Sequence, residues 1–167
     1  HSGELLYCNA GHNAPLLVAP DGVVKPLDVN PNLTLGVIGG FPYMAQNMIL
    51  KKGTMLSLYT DGVTEAENPS KELYSDARLK DVLATLDGNA RDLVEGVKSA
   101  VDAYAAGTEQ SDDITILCLK CNATDDSRCE AEKELHLVND LAEIAKLPLL
   151  VGELASEFNF SEELVFN

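Results

Sequence analysis

Apolar and polar positions along the chain fall into two regimes. In the first, short apolar runs alternate with turn residues. Glu4–Ala10 reads as a strand, and Pro15-Leu16-Leu17-Val18-Ala19 as a second that Pro20-Asp21-Gly22 closes with turn chemistry. Val23–Leu27 can pair back on it as a hairpin. A passage rich in Pro, Asn and Gly from Asn30 to Pro42 reads as a loop. Tyr43–Leu50 is then a strand, Lys51-Lys52-Gly53 a turn, and Thr54–Thr60 a strongly apolar strand. In the second regime the apolar spacing lengthens to three and four. Ser75 is placed to cap a helix through Leu79, Val82, Leu83 and Leu86, and Asn89 to cap another through Leu93, Val97 and Val101, with Gly107 at its stop. Ile114–Leu119 returns to a buried strand. Strands first, helices next and a strand last predict an α+β fold rather than alternating parallel units.

After Lys120 the composition shifts. Residues 122–131 are polar and linker-like. Residues 132–167 restart as a strand at Glu134–Val138, followed by an amphipathic stripe from Leu141 to Phe158 and a helix start capped by Ser161. The chain ends one turn into that helix, so this second unit reads as truncated. Its unburied stripe predicts packing on the first unit or self-association.

Composition narrows the partners. Of 167 residues, 12 are Lys or Arg and 27 are Asp or Glu, a formal net charge of −15. Nucleic acids and anionic membrane surfaces are bound by basic patches, so neither is expected as a partner. No apolar run approaches the length of a membrane span. Four cysteines at irregular spacing form no disulfide framework, which favours a reducing, cytoplasmic setting. A zinc site drawn from Cys118, Cys121, Cys129 and His136 is disfavoured, because Cys118 sits inside a strand pattern.

Two acidic motifs carry the candidate chemistry. Tyr59-Thr60-Asp61-Gly62-Val63-Thr64-Glu65-Ala66 leaves a strand, and Ser111-Asp112-Asp113-Ile114-Thr115 enters one. Each puts a carboxylate at a strand end, the kind of hard oxygen ligand that Mg²⁺ and Mn²⁺ take. Alone, Asp61-Gly62 is equally a hairpin turn, and Asp112-Asp113 a solvated loop end. A third loop, Asn9-Ala10-Gly11-His12-Asn13, also follows a strand. For His12 three roles stay open: general acid or base, metal-site neighbour, or structural loop residue, the last favoured.

These motifs, with Asn9–Leu17, Thr34-Leu35-Gly36 and Arg78-Leu79 between them, occur in the order seen in one family. Over about residues 3–121 the chain resembles the bacterial, SpoIIE-like branch of the PPM metal-dependent serine/threonine protein phosphatases. The resemblance implies an α-β-β-α sandwich of antiparallel sheets flanked by helices, with residues 1–121 forming its C-terminal part. It implies a two-metal Mn²⁺ or Mg²⁺ centre with Asp61 and Asp112 as ligands, Gly62 and Asp113 supporting them, and His12 and Asn13 at the rim. It implies hydrolysis of phosphoserine or phosphothreonine on a regulatory protein of the anti-sigma-factor-antagonist type. A further metal-ligand motif of the family belongs to the N-terminal half of the domain, which precedes His1, so the chain by itself is expected to be inactive. The competing expectation is a non-catalytic signalling or partner-binding module of a sigma-factor regulatory system. Residues 132–167 weakly resemble the start of an anti-sigma-factor-type ATPase or kinase domain, with no nucleotide-binding residue assigned.

Overall fold

The computed structural model describes residues 3–122. The elements run β1 (Glu4–Tyr7), β2 (Leu16–Val18), β3 (Val24–Pro26), β4 (Gln46–Ile49), β5 (Met55–Tyr59), α1 (Asp61–Thr64), α2 (Ser75–Thr85), α3 (Ala90–Ala105) and β6 (Ile116–Lys120). Strands therefore precede helices, with one strand last, as the apolar spacing predicts.

Four strands form an antiparallel sheet in the order β3-β2-β5-β6. A second sheet pairs β1 with β4, also antiparallel, with Glu4 opposite Ile49 and Tyr7 opposite Gln46. Alternation along the strands sorts side chains onto two cores. Leu16, Val18, Met55, Tyr59 and Cys118 face the helices and pack with Leu79, Leu83, Leu93, Val97 and Val101. Leu17, Leu27 and Leu56 face the other way, against Leu5, Tyr7 and Met48 of the two-stranded sheet. The described residues thus make three layers, helices on sheet on sheet. The central sheet is apolar on both faces, which is why β2 is buried at all three positions. The outer face of the two-stranded sheet leaves Leu6 and Ile49 exposed.

Helix α3 starts on a capping box. The Asn89 side chain accepts from the Asp92 amide, and the Asp92 carboxylate accepts from the Asn89 amide. Its end comes at Ala106, whose φ of 49° is left-handed, one residue before the expected Gly107. Helix α2 departs from expectation. Ser75 is not its cap: Tyr74 holds the cap position without a side-chain hydrogen bond, and Ser75 itself has a φ of 75°. The core explains the difference, because Tyr74 is buried edge-on to Tyr104 and so dictates where α2 begins. Strand β4 starts later than Tyr43, because Met44 N donates to the Asn32 side chain, which ties that segment to the preceding loop instead.

The linker expected at 122–131 and the ATPase-like segment expected at 132–167 lie outside the described residues beyond Asn122, as do Cys129 and His136. Cys118 points into the helix-side core and Cys121 is buried, its thiol 3.7 Å from the Leu50 carbonyl.

Candidate metal centre

Antiparallel pairing brings the three chemical motifs to one end of the central sheet. Tyr59, the last residue of β5, lies opposite Ile116, the first of β6, so Asp61 leaves the sheet where Asp112 enters it. Leu16, the first residue of β2, lies opposite Ser57 of β5, so the Asn9–Asn13 loop arrives at the same end.

Asp61 does not sit in a hairpin turn. It opens the single-turn helix α1, in which Val63 N donates to Thr60 O and Glu65 N to Asp61 O. That turn abuts the Asp112–Asp113 loop. A Cβ on Gly62 would lie 2.5 Å from the Asp113 carbonyl oxygen and 3.0 Å from that of Asp112. Only glycine permits so close an approach. Thr60 stitches the same two segments. Its amide donates to Thr115 O at 3.1 Å, its hydroxyl donates to Asp113 O at 2.8 Å, and it accepts from Thr115 N at 2.9 Å.

Both candidate ligands are exposed. Each is oriented through one carboxylate oxygen by the next residue's amide: Gly62 N donates to Asp61 Oδ1 at 3.1 Å, and Asp113 N to Asp112 Oδ1 at 2.7 Å. The second oxygen of each has no protein partner among the described residues. Gln110 Nε2 donates to Asp112 O at 2.6 Å and steadies the loop from its other side. Two hard carboxylate donors with a free oxygen each fit an Mg²⁺ or Mn²⁺ ion in donor chemistry. Among the described residues no group of three or more His, Cys, Asp or Glu side chains converges to complete a metal shell.

Beside Asp61 opens a cleft of about 440 Å³, lined by Asn13, Ala14, Leu16, Pro26, Tyr59, Asp61, Thr64, Glu65, Asp76 and Lys80. His12 does not line this cleft; its amide donates to Asn9 Oδ1, its carbonyl accepts from Asn9 Nδ2, and its ring Nδ1 lies 3.0 Å from Asn13 O. Gly11 packs against Thr34, where a side chain would clash, and this fixes the loop on the Thr34–Gly36 segment. Asp112 and Asp113 are not among the lining residues and meet the Asp61 turn through Gly62.

Sequence reasoning assigned no role to Thr60, Glu65, Asp76 or Lys80. Thr60 and Glu65 stood inside the quoted motif. Asp76 and Lys80 are brought in by α2, and Tyr59 donates its hydroxyl to Asp76 Oδ1 at 3.0 Å. Burial, with help from the Asp76 carboxylate, raises the Tyr59 pKa well above that of an ordinary tyrosine, so its hydroxyl stays a donor.

A family model for stage II sporulation protein E matches residues 1–122. The chain belongs to the SpoIIE family. Protein IcfG of Synechocystis sp. is 28% identical over 121 residues, which are 72% of this chain and 19% of that protein. The solved RsbU and RsbW domains of Rv1364c from Mycobacterium tuberculosis match at 29% identity and a TM-score of 0.57, over 74% of this chain and 34% of that one. The phosphatase domain of SpoIIE from Bacillus subtilis, presoaked with Mn, matches at 15% identity and a TM-score of 0.56, over 76% and 55%. The α+β arrangement of this SpoIIE-family chain is accordingly that of PP2C (PPM) phosphatase domains. It spans about a fifth to a third of the length of the first relatives it matches.

Proposed function

We propose that this SpoIIE-family chain supplies two carboxylates, Asp61 and Asp112, to the divalent-metal centre of a PPM-type protein phosphatase. The observation that carries the reading is the junction at Gly62, where the turn bearing Asp61 and the loop bearing Asp112 come within backbone contact. Seating two acidic loops against each other at a position that only glycine can fill supports a ligand shared by both carboxylates.

Bound Mn²⁺ or Mg²⁺ would supply an activated water and neutralise charge on a phosphoryl group. Asp61 and Asp112 would hold the cation, each already oriented through one carboxylate oxygen by the next residue's amide. Gly62 and Asp113 set the approach of the two segments. Asn13, Glu65, Asp76 and Lys80 shape the cleft beside Asp61, and Asn13 and Lys80 there offer donors to an incoming phosphoprotein. The substrate class implied by the family is a phosphoserine- or phosphothreonine-bearing regulatory protein of the anti-sigma-factor-antagonist type.

The test is hydrolysis of a small phosphate ester by the intact protein with Mn²⁺. Asp61→Asn and Asp112→Asn keep shape but remove charge, and each is expected to cut turnover by orders of magnitude while far-UV circular dichroism stays unchanged. Turnover within a few-fold of wild type would favour the non-catalytic, partner-binding reading instead.

A further inference from the structure

We propose that Thr60 is a positioning residue for this centre: its hydroxyl clamps the Asp112–Asp113 loop to the Asp61 turn and thereby sets metal affinity. The inference rests on the metal-site reading above and assigns a role to a residue that carries no ligand atom in it.

Geometry singles Thr60 out. It directly precedes Asp61, with extended backbone (φ −82°, ψ 161°), at the point where β5 ends and α1 begins. Regular pairing of β5 with β6 stops at Tyr59 opposite Ile116. Past that point the chain leaves β5 for the helical turn α1. Thr60 extends the pairing by one residue through its backbone amide to Thr115 O. Its side chain then continues it where no further backbone group is available.

The hydroxyl uses both of its capacities in doing so. It donates to Asp113 O and accepts from Thr115 N, groups 53 and 55 residues away in sequence. A donor-only or acceptor-only group could make one of these bonds and not the other. The Asp113 carbonyl that Thr60 holds is the one against which Gly62 is packed, so hydroxyl and glycine fix the same contact from two directions. Asp112 is the covalent neighbour of Asp113 on its other side, with Oδ1 accepting from Asp113 N. Displacing Asp113 is therefore passed to Asp112 through the chain and through the Asp113 N–Asp112 Oδ1 hydrogen bond.

Partners that orient metal ligands without touching the metal typically change affinity by about 10- to 100-fold when removed. Thr60→Val keeps the β-branched shape, so β5 and its extended conformation survive, and deletes only the hydroxyl. Thr60→Ser restores the hydroxyl without the methyl.

The experiment is titration of the metal-free intact protein with Mn²⁺ by calorimetry, for wild type, Thr60→Val, Thr60→Ser and Asp61→Asn, with urea unfolding of each metal-free protein alongside. Thr60→Val is expected to weaken Mn²⁺ binding by about tenfold or more. Thr60→Ser should return most of that loss, and the metal-free unfolding midpoint of Thr60→Val should fall only by the modest net worth of its two hydrogen bonds and recover in Thr60→Ser. If Asp61→Asn weakens binding but Thr60→Val binds as wild type, the clamp is overturned while the metal-site reading stands. Failure of Thr60→Ser to rescue overturns it too. If Asp61→Asn binds Mn²⁺ as wild type does, the metal-site reading itself has failed.

Discussion

Gly62 and Asp113 meet so closely that a methyl group between them would sit 2.5 Å from the Asp113 carbonyl oxygen. The neighbour is backbone, held in place by the Thr60 hydroxyl, and cannot swing away as a flexible side chain would. Gly62→Ala is therefore expected to force the two acidic loops apart. An ordinary overpacking strain costs about 1–3 kcal/mol, so the urea midpoint should fall. Mn²⁺ affinity should fall with it. A variant with wild-type stability and wild-type affinity would show that the contact is not constrained.

Tyr59 ties the end of β5 to α2 through Asp76, and its phenol is held neutral by burial and by that carboxylate. A folded-state pKa above the unfolded one means that the unfolded chain loses its proton first as pH rises. The contribution is fully present below about pH 10, the ordinary tyrosine range, and is lost above it. Tyr59→Phe should therefore lower stability near neutral pH by about 0.5–1.5 kcal/mol, the usual net worth of one hydrogen bond. It should also flatten part of the fall in stability above pH 10. Urea unfolding from pH 7 to 11 reads both. Equal steepness in variant and wild type would contradict the assignment.

Cys118 faces the helix-side core, and burial pushes its thiol up to about 12, only partly offset by the nearby Lys120 ammonium. Thiolate is the reactive form, so Cys118 should resist alkylation at pH 8 in the folded protein. Cys8 is exposed and should label readily. Peptide mapping after brief iodoacetamide treatment, with and without denaturant, separates the two. Rapid native labelling of Cys118 would mean that β6 does not pack as described.

Much of the architecture is legible in local pattern. Continuous apolar runs mark β5 and β6, three- and four-residue spacing marks α3, and Asn89 announces its cap before any contact is known. What eludes local pattern is decided at a distance. The start of α2 follows from Tyr74 packing on Tyr104, thirty residues away in sequence, and not from the serine beside it. The partnership of β1 with β4 depends on a register formed across the intervening hairpin and loop. The two aspartates are visible as motifs at strand ends, but the means of joining them is not. Thr60 looks like motif filler until the strands pair, because its partners, Asp113 and Thr115, lie more than fifty residues downstream. Asp76 and Lys80 reach the cleft only because α2 packs on the sheet.

The most direct test of the account is a Mn²⁺ titration of the intact protein across a double-mutant cycle of Asp61→Asn and Asp112→Asn. Ligands of one centre act as a unit, so their effects are strongly non-additive. Each single substitution is predicted to abolish most high-affinity Mn²⁺ binding, and the double variant to be scarcely worse than either single one. Two independent, additive losses, or Mn²⁺ binding unchanged in both single variants, would contradict a shared metal centre at this end of the sheet.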